Sequence, residues 1–505
     1  MILHPSRPKS RTVQEYIDET PLWPDGTPAP AAPMTRMQWR IWTLASAGKF
    51  FEGLVVFMTG VALPLIVSEF DLDATGKGAV GAMPLVGILM GATVLGGLAD
   101  RFGRKAMFIA EMALFTLCLV LLVASTHYAM LLAALFGVGL SLGCDYPTAH
   151  MIISESIPSA SRGRLVLAAF GFQAVGALAG TAIGYLILAG DPALNAWRLM
   201  YATAVIPALA VVAARFFITD SAPWLADKGR MAEAERETER LLRRDPPYPG
   251  TVRLNRPEGG GGHDPAGYGQ LFRGSQLRAT VLASVPWFLQ DLGTYGIGIF
   301  TPTILASAIG AQAGHARNLA DLIHNDMLAA KGAAFIDVLL LIGIIGAVLL
   351  ADRVGRIRLQ VIGFIGCAAG LTLAAVSLDS HGPARTLLLY SGFMLFNFMT
   401  NVGPNAMTYL IAGEVFPTRI RGKGAGLAAS AAKLGAAATA FLFPVMLAGL
   451  GTRTILYALV ATSLAGAVVT WLYRIETTGV DLDTIGLDTI GLDTADTALE
   501  TGRRP

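Results

Sequence analysis

Apolar runs about twenty residues long recur from residue 39 to residue 473, separated mostly by short loops that collect arginine and lysine. A run of that length is what an α-helix needs to cross the hydrocarbon core of a bilayer. Within that core every backbone N–H and C=O must be bonded inside the protein, which leaves helices and closed barrels as spanning structures. Continuous apolar runs, rather than short alternating ones, select helices. The composition agrees, since 53% of the 505 residues are hydrophobic and 15% are charged, more apolar than a soluble core requires.

About twelve spans are expected, near 39–67, 77–98, 106–126, 129–153, 166–189, 198–218, 277–309, 332–350, 358–377, 385–412, 423–447 and 452–473. The longest polar stretch, 219–276, holds the charged helical run Met231 to Arg244 and the tetraglycine Gly259 to Gly262, and divides the spans six and six. Basic residues then set the orientation. Arg101, Arg104 and Lys105 follow span two, and Arg162 and Arg164 follow span four. Lys228, Arg230, Arg236, Arg240, Arg243 and Arg244 load the central stretch; Arg353, Arg356 and Arg358 follow span eight, and Arg419, Arg421 and Lys423 follow span ten. These loops share one side with both termini, and the positive-inside rule makes that side cytoplasmic. The first 38 residues are polar and proline-rich, without the apolar core of a signal peptide, so the N-terminus is expected to stay in the cytoplasm.

Several function classes are disfavoured. A net charge of +2 is too small to imply a nucleic-acid partner. Cys118, Cys144 and Cys367 lie in apolar stretches without metal-ligand or redox spacing and read as packing residues. No cofactor or metal is implied, and without a nucleophile–base pair an enzyme is not expected. The stretch 310–331, with His315, His324 and Asp326, has no metal spacing and reads as a loop or short surface helix. Val480 to Thr494 repeats a five-residue unit too short for a solenoid, and reads as part of a flexible cytoplasmic tail.

The informative positions are polar residues inside the spans. Asp291 sits within span seven, where an ionised carboxylate costs roughly 2.5 to 3.5 kcal/mol on insertion scales, so it is a functional candidate by default. Trp287, Asp291 and Tyr295 are spaced by four and share one helix stripe, able to line a polar cavity. The plainer alternative makes Asp291 a hydrogen-bond partner between helices. Span four carries Asp145, Tyr146 and Pro147; span five has Gln173, span ten has Asn401 and Asn405, and span eleven has Lys433. A single Gln or Asn in such a helix commonly bonds helix to helix.

Gly97-Leu98-Ala99-Asp100-Arg101-Phe102-Gly103-Arg104-Lys105 joins spans two and three, and Leu350-Ala351-Asp352-Arg353-Val354-Gly355-Arg356 joins spans eight and nine. With this motif repeated at equivalent loops, residues 39–473 resemble the major facilitator superfamily of secondary transporters. The resemblance implies an all-α membrane protein whose twelve transmembrane helices form two six-helix bundles, 39–218 and 277–473. They would be joined by the cytoplasmic loop 219–276, flanked by cytoplasmic segments 1–38 and 474–505, with a midplane site opened alternately by rocking. Glu155 and Arg162-Gly163-Arg164, Asp220 to Leu225, and Glu414-Val415-Phe416-Pro417-Thr418-Arg419 are similar to the sugar-porter-related branch. Asp100, Arg101, Arg104, Glu155, Arg162, Asp352, Arg353, Arg356, Glu414 and Arg419 are therefore expected to form ion pairs that hold the halves in one state.

Asp145-Tyr146-Pro147 and the Trp-Phe-Leu-x-Asp-x-x-x-Tyr-Gly pattern from Trp287 resemble the phosphate:proton symporters. That resemblance implies Tyr146, Gln173, Trp287, Asp291, Tyr295 and Asn405 as phosphate contacts, Lys433 as a cation near the site, and Glu52, Asp145 and Asp291 as proton-coupling carboxylates. The chain departs from the pattern at Val55, where the family has a second acid, at Cys144, where it has glycine, and at His150, which reads either as an added titrating group or as a packing residue. The expectation is a monomeric, proton-coupled phosphate symporter of the cell (plasma or inner) membrane, whose partners are phosphate, protons and the bilayer. A carrier of a small organic anion or sugar is the alternative, and a non-transporting nutrient sensor the alternative of another class.

Overall fold

The computed structural model describes residues 11–19, 33–95, 98–243, 252–255, 268–313, 319–417 and 420–477. Arg419, His315, the tetraglycine and the five-residue repeat lie outside the described residues, and the side chains of Asp100 and Tyr146 are likewise not described.

The helices run in order α1 (Val13–Asp18), α2 (Arg36–Phe70), α3 (Ala74–Met90), α4 (Leu98–Phe102), α5 (Arg104–Val123), α6 (Tyr128–Ser156), α7 (Ser159–Gly190), α8 (Ala196–Arg215), α9 (Ala222–Asp227), α10 (Met231–Leu242), α11 (Ser275–Ala313), α12 (Leu319–Val354), α13 (Arg356–Val376), α14 (Pro383–Val402), α15 (Pro404–Glu414) and α16 (Arg421–Leu472). Among the described residues nine helices are long and apolar enough to cross a membrane. One of these, α16, contains two crossings, because Gly451 at φ 77° breaks it. With α11 and the α14–α15 pair, the helices provide for the twelve crossings expected.

The structure revises the sequence reading at one place and refines it at another. Of the stretch 310–331, expected as a loop or short surface helix, the described residues 310–313 and 319–331 belong to long helices, since α11 continues to Ala313 and α12 begins at Leu319. The early turns of α12 bury Ile323, Asp326, Ala329 and Ala330, so this is packed helix. The tenth span is broken rather than continuous: Gly403 (φ −109°, ψ −102°) separates α14 from α15. Pro404 lacks the N–H that would continue the ladder, and as the first residue of α15 it loses nothing by that lack.

The chain divides into two compact units. One takes the residues up to His263 with Gly298–Phe335, the other Asp264–Ile297 with Ile336 onward, so α11 and α12 each contribute to both. In the first unit α2 is the central element, and its most extensive partner is α7. Thr35 and Gln38 form a reciprocal capping box at its start, and most of its apolar length is buried. A Cβ added at Gly53 would lie 2.0 Å from the carbonyl oxygen of Gln173, and one at Gly176 would lie 1.9 Å from that of Phe50. The two backbones are thus in direct contact, the close approach that small residues permit between membrane helices. In the second unit α13 packs against both α14 and α16.

Candidate transport site

In the second unit the polar stripe of α11 is buried, with Trp287, Gln290, Asp291, Thr294 and Tyr295 each at most 7% exposed. The opposing stretch of α16 is built from small residues, and a Cβ at Gly435 would lie 2.6 Å from the carbonyl oxygen of Phe288. This close approach brings Lys433 to the stripe. Its ammonium donates to Tyr295 Oη at 2.5 Å and stands 3.6 Å from Asp291 Oδ2, with Asp291 1% and Lys433 7% exposed. Two opposite charges removed from water require each other, since loss of either leaves the other uncompensated. Trp287 packs edge-on against Tyr409 at 6.2 Å.

A neutral network adjoins this pair. Gln290 Nε2 donates to Thr294 Oγ1 at 2.6 Å and to Asn405 Oδ1 at 3.2 Å, and Asn405 Nδ2 donates to Asn401 Oδ1 at 2.5 Å. Asn401 in turn donates to the carbonyl of Leu340 at 2.8 Å, while Thr294 and Thr400 hydroxyls lie 3.1 Å apart. The structure therefore brings together four of the expected site residues, Asp291, Tyr295, Lys433 and Asn405, with Trp287 on the same stripe. Gln290 and Thr294, which the sequence reading passed over, link Asn405 to α11.

The first unit holds two further charge clusters. Lys49 Nζ lies 2.6 Å from Glu52 Oε2, and Gln173 Nε2 donates to Glu52 Oε1 at 3.5 Å. Asp145 Oδ1 accepts from Arg215 Nη2 at 2.7 Å, and Arg215 Nη1 stands 3.5 Å from Glu111 Oε1, all three residues being buried. Arg215 also donates to the carbonyls of Leu44 and Phe108. Asp145 is thus held as the counter-ion of an arginine, in a cluster of two carboxylates and one guanidinium. Glu111 was legible by the same argument that singled out Asp291, as an acid inside an apolar run. His150 is half-buried on α6.

The loop motifs repeat one construction in each unit. Gly103 (φ 102°) starts α5 and Gly355 (φ 95°) starts α13, both in a backbone region that favours glycine. Arg104 then donates to the carbonyl of Ala99 at 3.1 Å and pairs with Glu155 at 3.4 Å. Arg356 donates to the carbonyl of Ala351 at 3.2 Å and pairs with Glu414 at 3.3 Å and with Asp352 at 2.9 Å. Glu155 accepts from Ser221 at 2.5 Å, and Glu414 accepts from Thr477 at 2.6 Å. Asp220 accepts from the N–H of Lys105, as Glu476 does from those of Arg356 and Ile357. Each of these pairs lies within one unit. Arg101 lies over Phe102, Arg162 donates to Ser159 at 3.4 Å, and Arg353 is exposed.

Long apolar helices with buried, paired charges at mid-helix mark a helical membrane protein with polar positions inside its helix packing. The chain belongs to the sugar (and other) transporter family, which it matches over residues 41–488. Its fold is that of the major facilitator superfamily. The structure of the proton:xylose symporter XylE of E. coli superposes with a TM-score of 0.70 at 18% identity, covering 89% of this chain and 98% of that one. Among curated relatives, the inner membrane metabolite transport protein YgcS of Escherichia coli (strain K12) is 29% identical, with 90% of this chain and 95% of the relative covered. The niacin transporter NiaP of Acinetobacter baylyi is 26% identical over 90% of this chain and 98% of its own. A putative inorganic phosphate transporter, C1683.01 of Schizosaccharomyces pombe, is 26% identical over 90% and 88%.

Proposed function

We propose that this protein is a proton-coupled symporter of inorganic phosphate that works by alternating access. The observation that carries the proposal is the buried pair of Asp291 and Lys433 with Tyr295 on the same ammonium. With Asp291 ionised, Lys433 has its counter-charge and an entering anion meets a carboxylate. With Asp291 protonated, the ammonium's charge faces the anion, and the carboxyl becomes a hydrogen-bond donor. Binding of a monoanion such as H2PO4⁻ is then favoured by a proton taken up from outside and reversed when that proton leaves on the inside. Trp287, Tyr295 and Asn405, with Tyr146 and Gln173, supply the remaining contacts, and Glu52 and Asp145 the remaining proton-linked carboxylates. Charge pairs such as Arg104–Glu155 and Arg356–Glu414 set which state is populated.

In this reading the bundles 39–218 and 277–473 rock about the site. The basic loops support a cell-membrane placement with both termini cytoplasmic, and one chain is the working unit. A small organic anion is the second reading, favoured by the metabolite and niacin relatives and by Val55, where the phosphate pattern has an acid. Uptake of radiolabelled phosphate into proteoliposomes separates the two. Accumulation driven by an inward proton gradient and abolished in Asp291→Asn supports phosphate symport, whereas gradient-driven uptake of an aromatic carboxylate without phosphate uptake moves the assignment to organic anions.

A further inference from the structure

Lys49 was not among the expected site residues, yet it is an ammonium in the middle of α2 with a side chain only 13% exposed. An intramembrane charge is costly and marks a pathway or an internal pair. Here the pair is Glu52, one helical turn along the same face, at 2.6 Å. Gln173 donates to the other oxygen of that carboxylate, and the ring of Phe170 lies 5.5 Å from the ammonium. Both Phe170 and Gln173 belong to α7, whose backbone touches α2 directly at Gly53 and Gly176. The cluster therefore sits between two helices whose backbones are in direct contact.

We propose that Lys49 is an anion-binding residue, and that Glu52 is its internal counter-ion, displaced in charge by the substrate's oxyanion when Glu52 takes up a proton. This rests on the reading of the protein as a proton-coupled anion carrier and adds a second cationic contact to it. The charges balance: with Glu52 ionised the pair is neutral, and with one proton and one monoanion added it is neutral again. The ligand class is a small oxyanion, whether phosphate or carboxylate. The other acidic, basic and histidine side chains of the helices packed against α2 are Asp145, His150 and Glu155 of α6, Arg198 and Arg215 of α8, Arg162 and Arg164 in the first turns of α7, and Lys77 near the start of α3. The charged helix α10 packs on α2, and the N-cap Thr35 donates to the carbonyl of Leu241 there. Asp145, whose carboxylate abuts Gly48, is already held by Arg215.

The test is equilibrium binding of inorganic phosphate and of benzoate to the purified full-length protein across pH, for wild type, Lys49→Gln, Lys49→Arg and Glu52→Gln, with folding monitored by thermal unfolding. Lys49→Gln is expected to lose at least tenfold in affinity for whichever anion the wild type binds, and Lys49→Arg to recover most of it. Glu52→Gln is expected to bind with one proton fewer in the slope of log Kd against pH. Wild-type affinity in folded Lys49→Gln, or an unchanged slope in Glu52→Gln, overturns the proposal. Binding of benzoate alone, with these mutant effects, leaves Lys49 as the anion contact and overturns only phosphate as the substrate.

Discussion

The carboxylate of Asp291 on α11 and the ammonium of Lys433 on α16 stand 3.6 Å apart with almost no exposure to water. Each buried charge compensates the other, so the proposed protonation of Asp291 would change what Lys433 can hold. Asp291→Asn is expected to bind substrate with an affinity that weakens less steeply as pH rises, by one proton in the slope of log Kd against pH, while gradient-driven accumulation is lost. Equilibrium binding and uptake measured on the same preparation check this. Lys433→Ala is expected to lower affinity at least tenfold and to lower the thermal unfolding midpoint, because Asp291 is left buried without its cation.

Arg215, Asp145 and Glu111 form a buried cluster in which one guanidinium serves two carboxylates. Arg215→Met alone is expected to destabilise the protein by about 3–5 kcal/mol, the usual cost of breaking a buried ion pair from one side. The triple change Arg215→Met, Asp145→Asn, Glu111→Gln removes the charges together and is expected to recover most of the unfolding midpoint. Size-exclusion profiles after heating read both outcomes.

The construction of Arg104 with Glu155 is repeated by Arg356 with Glu414, and none of these four residues is among the proposed anion contacts. Glu155→Gln and Glu414→Gln are expected to change the transport rate severalfold with little change in equilibrium affinity. Uptake that stays at wild-type rate in both variants contradicts a conformational role.

Gly53 and Gly176 allow α2 and α7 to touch. Gly53→Val places side-chain atoms within the carbonyl of Gln173 and is expected to separate the helices, disturbing Lys49, Glu52 and Gln173 together. Loss of monodisperse protein or of anion binding checks it, and unaltered binding by Gly53→Val contradicts the close approach.

Much of this was legible in the sequence because membrane constraints are one-dimensional. Apolar runs of sufficient length located the crossings, and the cost of a carboxylate in such a run located Asp291. Partners were not legible, because pairing depends on which helices pack together. Nothing near Asp145 in the chain announces Arg215, and nothing near Asp291 announces Lys433 except the resemblance to phosphate symporters. Local signals were also passed over. Lys49 and Glu52 are three residues apart, Glu111 interrupts the third apolar run, and Gly403-Pro404 marks the break in the tenth. The stretch 310–331 misled because its polar residues resemble a surface loop, although Asp326 is buried in α12.

Proton movement on addition of substrate tests symport most directly. Proteoliposomes carrying an internal pH dye, with no imposed gradient and with both sides buffered well below the second dissociation of phosphate so that entering H2PO4⁻ itself releases no proton, are given phosphate outside. The account predicts internal acidification that requires both protein and phosphate and is absent in Asp291→Asn. Phosphate entry without acidification, or no entry by folded protein, contradicts it.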